Sequence, residues 1–405
     1  MTNHGQDIRR LLDEVDLPTP RIDLGTVARD GERFRRRRRA GAAAGSVVVA
    51  LVVAAVAVPL ALHLPGSGGA VQNAAATGKP TGGPTGGPTA TARATPTPGA
   101  SCAVSALALP AGVTNYQTEA IDPTGRYVVG WASSNTIYAD MFWDNGTPRD
   151  MHVPGLPGVS AVNSHGVVAG STMTVAGNDE KVYRWANGST TVLNYPMPGQ
   201  WHPYSIYIND DGAIIANAEP DGESGGVGSV TVLFKPGTTT GMKLPIPSGS
   251  EVFGISDGGL IVGTLDISTY SEQRGAVWDL YGNLVRKLSF SSYVDVLSPT
   301  GDLAVGSRFD ESTHKRASSF VWNLRSGQVT ELSHQVTQAV AVNAQGWVLD
   351  IASGVFKGDD VVSLPALHPG DGMRPTWRAM ADNGAVVGQA TTGDGTLSVP
   401  LEWHC

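Results

Sequence analysis

The chain has 405 residues, of which 51 are glycine and only 16% are charged, with nine tryptophans and a formal net charge of −8. The charge is uneven: residues 1–39 carry ten Arg against seven acidic residues, whereas residues 101–405 carry a net of −13. An acidic globular part repels phosphate instead of displacing its counterions, which argues against nucleic-acid binding, and abundant glycine with scattered Trp predicts short strands and tight turns.

In chain order, residues 1–39 read as a cytosolic, Arg-rich tail. Within it DIRRLLDEV places Ile8, Leu11, Leu12 and Val15 on one face of a short helix. Residues 40–64, AGAAAGSVVVALVVAAVAVPLALHL, are uncharged apart from His63, and a helix of that length crosses a hydrocarbon core of ~30 Å. The cluster RFRRRRR directly before them is held on the cytoplasmic side. Together they predict a signal anchor in the plasma membrane, single-pass, with the N-terminus cytoplasmic and the remainder outside. A cleaved signal peptide is the rival, with AVA at 55–57 or AAA at 74–76 as cleavage sites. Residues 65–100, rich in Gly, Pro and Thr, have almost nothing apolar to fold around and read as a disordered stalk.

From about residue 120 one phrase recurs: a small apolar residue, Asn/Asp/Ser-x-x-Gly, an apolar pair and often Gly, then a polar stretch, a bulky ring and a further turn. AVNSHGVVAG followed by VYRWANGSTTVLNYP is one copy, and VLSPTGDLAVG followed by FVWNLRSGQVTEL is the clearest. The anchoring glycines are Gly125, Gly166, Gly212, Gly259, Gly301, Gly346 and Gly384, spaced 38 to 47 residues apart. That is the period of a four-stranded propeller blade. The rings at Trp143, Trp185, Phe234, Trp278, Trp322, Phe356 and Trp403 are expected to pack between blades. Residues 101–405 are therefore expected to form an all-β, seven-bladed β-propeller, with six or eight blades as alternatives because the copies at YINDDGAIIAN and AVNAQGWVLD are eroded.

The last copy stops at PLEWHC, without a fourth strand. CAVSALALP, residues 102–110, supplies one. Aligning Leu107 and Pro110 with Leu193 and Pro196 puts Cys102 in the place of Gly188 and Cys405 in the place of Asn187. A Cys102–Cys405 disulfide would then replace that turn and close the ring, in the oxidising conditions expected outside the membrane; the alternative is two unrelated thiols.

These copies resemble the HAF-type extracellular repeats, in which Asn-x-x-Gly-x-Val-Val-Gly precedes a Phe-x-Trp strand. The likeness is best at AVNSHGVVAG and DMFWDNG, and the fifth copy also resembles a WD-repeat blade without its Gly-His pair. Both resemblances imply a propeller and neither implies an enzyme. The Arg-rich tail, single span and Thr/Pro stalk are similar to those of membrane proteins of high-GC Gram-positive bacteria.

The sequence points to no catalytic residues, no metal ligands and no cofactor: HExxH and zinc-spaced Cys pairs are both missing. Acidic turns such as NDDG read as turn chemistry in preference to calcium loops. The candidate binding face comprises Trp201, His202, Tyr204, His368, Arg374, Trp377 and Arg378, aromatics off the repeat pattern beside hydrogen-bonding groups, which suit a sugar ring or a protein anchor. Packing between blades is the competing reading for each ring. The expected function is a noncatalytic surface module that binds or scaffolds a cell-wall glycan or an extracellular protein. The alternatives are an extracytoplasmic propeller lyase or hydrolase, and a transmembrane sensor signalling to the tail.

Overall fold

The repeat becomes a run of antiparallel hairpins. A computed structural model describes residues 102–405 apart from 111–114, 134–137, 174–178, 224–227, 268–271, 299–300, 333–335, 337, 369, 371 and 394–396. The tail, membrane helix and stalk expected over residues 1–100 lie outside the described residues.

β1 (Ala103–Ala106) opens the described chain. A first meander follows, of β2 (Asn115–Ile121), β3 (Tyr127–Ser133), β4 (Tyr138–Asp144) and β5 (Thr147–Asp150). The second comprises β6 (Leu156–Val162), β7 (Val168–Met173), β8 (Glu180–Ala186) and β9 (Ser189–Leu193). Next come β10 (Trp201–Ile208), β11 (Ile214–Pro220), β12 (Val230–Phe234) and β13 (Met242–Lys243). They are followed by β14 (Glu251–Ile255), β15 (Ile261–Leu265), β16 (Arg274–Trp278) and β17 (Leu284–Lys287). Then β18 (Ser292–Leu297), β19 (Leu303–Phe309), β20 (Arg316–Asn323) and β21 (Val329–Glu331) form a meander. So do β22 (Ala339–Val342), β23 (Val348–Asp350), β24 (Gly354–Lys357) and β25 (Asp360–Val362). The last strands are β26 (Arg374–Met380), β27 (Ala385–Thr391) and β28 (Ser398–His404).

Five meanders are separate four-stranded sheets. The remaining strands make one eight-stranded sheet, in which the single parallel pair Asn115–Ser398 joins β2–β5 to β26–β28. β1 adds to the outer side of β28, pairing Ala103 with His404 and Ala106 with Leu401. The corresponding hairpin of the second meander pairs Ala186 with Ser189 around Asn187 and Gly188, whose φ values are 50° and 80°. Cys405 and Cys102 stand in those two turn positions and are bonded to each other, with Cα atoms 4.4 Å apart. The register is the one the repeat alignment requires.

The first strands touch one another in a closed circuit, β2–β6–β10–β14–β18–β22–β26 and back to β2. Each hydrophobic cluster lies between two consecutive meanders; Val129, Phe142 and Val153, for example, pack with Val168, Tyr183 and Trp185. All of the expected rings, from Trp143 to Trp403, are at most 2% exposed. Three of them also satisfy their indole N–H on the chain leaving the preceding fourth strand: Trp143 on Ala108 O, Trp185 on Met151 O and Trp403 on Pro365 O. Ala108 follows β1, so β1 serves the next sheet as any other fourth strand does.

The Asn/Asp/Ser-x-x-Gly turns form a second belt. The Asn163 Oδ1 accepts the N–H groups of His165 and Val167, while its Nδ2 donates to Asn209 O on the next turn. Asn209 in turn accepts from Ala213 and donates to Ser256 O. One residue on, Ser164 N–H donates to Asp210 and Asp210 N–H donates to Asp257. Across the closure, Asn383 Nδ2 reaches Thr124 O at 2.7 Å. The polar side chains of these turns are used on backbone groups, which is the turn chemistry expected of them.

Candidate functional site

A second regularity lies inside the circuit. Each first strand carries a register shift against its neighbour that leaves one residue out of the ladder: Glu119, Ser160, Tyr204, Phe253, Asp295, Val340 and Arg378. Such bulges re-aim a side chain and are common beside functional sites. They also explain the glycine that closes the repeat phrase. A β-carbon on Gly130, Gly263 or Gly388 would stand 2.0–2.1 Å from the carbonyl oxygen of Gln117, Glu251 or Thr376 on the bulged strand. β11 has Ala216 at that place, and there the bulge falls at Tyr204, further from the turn. Asn217 exchanges two hydrogen bonds with Val252 of the next first strand. β23 has Asp350, whose carboxylate accepts Gln338 N–H at 2.8 Å.

The chemistry of this inner wall is concentrated on β10, β14 and β18. Glu251 Oε2 accepts from the Tyr293 hydroxyl at 3.2 Å, and its Oε1 lies 3.5 Å from Ser205 Oγ. The Tyr207 hydroxyl meets the same serine. Phe253 packs edge-on against Tyr293, with centroids 4.9 Å apart. Burial pushes the Glu251 carboxyl up to about 7; the bonds from Tyr293 and Ser205 oppose this, and the neighbouring Glu219 charge adds to it. Burial likewise raises Asp295 to about 6, against the pull of Arg316 and of Ser307, whose hydroxyl donates to it at 3.0 Å. The Tyr204, Tyr207 and Tyr293 phenols are all raised by burial and then by the Glu251 charge. Glu251, Tyr293 and Asp295 nevertheless keep part of their surface accessible.

The face residues expected from the sequence fall into two groups. Trp201, His202 and Tyr204 lie on β10, whereas Arg374, Trp377 and Arg378 lie on β26, three first strands away around the circuit, with His368 exposed on the connection before it. Trp201 donates to Pro198 O at 3.0 Å, and His202, 6% exposed, has Asp221 at one ring nitrogen and Glu180 at the other. Trp377 donates to Asp350 O at 2.6 Å and stands perpendicular to Trp403, which is the packing reading of that ring. Tyr204 and Arg378 are exposed bulge residues. Sequence reasoning missed Ser205, Tyr207, Glu251, Tyr293 and Asp295. The bulged residue stands six positions before the anchoring glycine in every first strand except β10, and that spacing was the available signal.

No protein-family model matches the chain, and no curated protein matches its sequence. Solved structures do resemble it. The β-propeller domain of the Trilobed protease from Pyrococcus furiosus aligns with a TM-score of 0.52 at 13% identity, over 72% of this chain and 95% of that one. An acylaminoacyl peptidase aligns with a TM-score of 0.50 at 12% identity, over 72% of this chain and 51% of the peptidase. The fold is a β-propeller. The Pyrococcus domain is described as having an open Velcro topology, whereas here β1 pairs with β28 and is cross-linked to its end.

Proposed function

We propose that this protein is a noncatalytic, membrane-anchored, extracytoplasmic propeller of seven blades that binds or scaffolds a cell-wall glycan or an extracellular protein. In this reading each four-stranded meander is a blade, β26–β28 with β1 is the last, and the Arg-rich tail and apolar segment before it hold the propeller on the outer side of the plasma membrane. The likeness to HAF-type extracellular repeats and the disulfide both support an oxidising exterior. The observation that carries the binding reading is the ring of bulged residues. The scaffold repeats, but these positions do not: acid, hydroxyl, phenol, phenyl, acid, aliphatic and guanidinium follow one another around the axis. A repeated backbone bearing unlike side chains around one axis suits recognition of a single asymmetric ligand.

The test is sedimentation of the detergent-solubilised full-length protein with isolated cell-wall sacculi. Retention that a soluble wall fragment competes away supports the glycan reading; no retention moves the weight to a protein partner. The hydrolase reading draws on Glu251 alone, since a carboxyl near 7 suits a general acid. It requires that Glu251→Gln release no product from a wall fragment that the parent protein cleaves.

A further inference from the structure

A cavity that none of the bulged residues lines opens between the third and fourth meanders, with a volume of about 490 Å³. Its floor is apolar. Ala213 and Leu233, 6% and 1% exposed, belong to the cluster around Trp278, and Leu280 packs against the same cluster. Its two ends are charged. The sheet order β10-β11-β12-β13 puts the β10–β11 turn, with Asp211, on the inner side and the β12–β13 turn, with Lys235 and Pro236, on the outer side.

Both walls are fixed before any ligand arrives, which lowers the cost of ordering on binding. Arg184 of the second meander donates to Gly212 O, Lys235 O and Thr238 O at 3.5, 3.1 and 3.3 Å, so it ties the inner turn to the outer one. Asn209 accepts Ala213 N–H and donates to Ser256 O, joining the third meander to the fourth. Leu280 is backed by Gly259, where a β-carbon would stand 3.1 Å from its Cδ1. The charges are not used in this framework. Asp210 accepts Ser164 N–H and Asp257 accepts Asp210 N–H, whereas the Asp211 carboxylate and the Lys235 ammonium make no hydrogen bond or ion pair among the described residues. Negative charge gathers at the inner end: burial raises the Asp257 carboxyl, the bond from Asp210 N–H opposes this, and the charges of Asp210, Asp211 and Asp382 add to it.

We propose that this cavity binds a short peptide with free ends, its ammonium group at Asp211, its carboxylate at Lys235 and an apolar side chain on Ala213, Leu233 and Leu280. The site goes beyond the reading above, since it shares no residue with the bulged ring. A neutral sugar leaves both charges without partners, and an anion meets the acidic inner end. A zwitterion with an apolar body uses every group that the cavity presents.

Isothermal titration of the full-length protein in detergent with alanyl-leucine tests the site, with the N-acetylated and the C-amidated dipeptides as controls. Saturable binding of alanyl-leucine is expected, with each control about fivefold weaker for the loss of one charged contact. Asp211→Asn should weaken alanyl-leucine about fivefold and leave the N-acetylated dipeptide unchanged, because acetylation has already removed the ammonium. Lys235→Gln should weaken alanyl-leucine likewise and leave the C-amidated dipeptide unchanged. Both side chains are exposed, so each variant is expected to melt with the parent; if one fails to fold, the other decides with its own control. No saturable heat with alanyl-leucine, or an equal loss for free and capped dipeptides in either variant, overturns the proposal.

Discussion

A β-carbon on Gly263 would lie 2.1 Å from the carbonyl oxygen of Glu251, so the glycine that closes the repeat phrase exists to let a bulged strand pass. The backbone of β14 cannot retreat without breaking its contacts with β10 and β18. Gly263→Ala is therefore expected to destabilise the propeller by about 1–3 kcal/mol through overpacking. It should also disturb Glu251. Gly146→Ala is the control for backbone preference, since Gly146 has a positive φ of 74° but open space around it. Thermal unfolding followed by circular dichroism measures both. A Gly263→Ala protein no less stable than Gly146→Ala would show that the close approach is not a constraint.

The closure is stapled twice, by the disulfide and by the Trp143 indole bond to Ala108 O just beyond β1. Cys405→Ser keeps the β1–β28 pairing available but frees a strand of four residues. A loss of about 2–5 kcal/mol is expected. Reduction of the parent protein should reproduce it, and limited proteolysis should then cut within residues 102–114. A Cys405→Ser protein that melts with the parent and resists protease would mean that pairing alone closes the ring.

Raised carboxyl pKa values give the propeller a definite pH dependence. The folded protein holds the Glu251 proton up to about 7, whereas an exposed Glu releases it near 4.5. Between those values the folded state binds more protons than the unfolded state, so stability falls as pH rises through the window. Asp295 acts in the same direction between 3.8 and about 6. Glu251→Gln removes the Glu251 contribution. Its melting temperature is expected to match the parent at pH 4 and to exceed it by about 2–5 °C at pH 8. A difference that is independent of pH would show that the carboxyl is not held protonated.

Much of the fold was legible because it repeats. The turn Asn163-Ser-His-Gly166 and its copies predict the hairpin, the belt bonds and the period, and the missing turn at Cys405 located β1. The rings between sheets followed from the same alignment. The inner wall was hidden for a physical reason: the bulge is a backbone event, set by where a glycine on the second strand admits a carbonyl. Nothing about Glu251 or Tyr293 distinguishes either from an ordinary strand residue until that register is known. Trp201 and Trp377 drew attention by being aromatic and off the pattern, yet their indole N–H groups end on Pro198 O and Asp350 O.

Trp377 and Arg378 are adjacent in sequence and separate two roles. Trp377 stands one position before the bulge, packed against Trp403 and bonded to Asp350 O. Arg378 is the bulged residue itself and is exposed. Trp377→Ala leaves a void between two sheets and removes the donor to a carbonyl, at an expected cost of about 3 kcal/mol. Arg378→Ala removes only exposed side chain and should leave stability within about 0.5 kcal/mol of the parent. If the bulge ring recognises the ligand, Arg378→Ala should lower retention on sacculi without lowering the melting temperature, while Trp377→Ala lowers both together. Retention unchanged in Arg378→Ala would confine recognition to the segment between β10 and β18, across the circuit of first strands from β26.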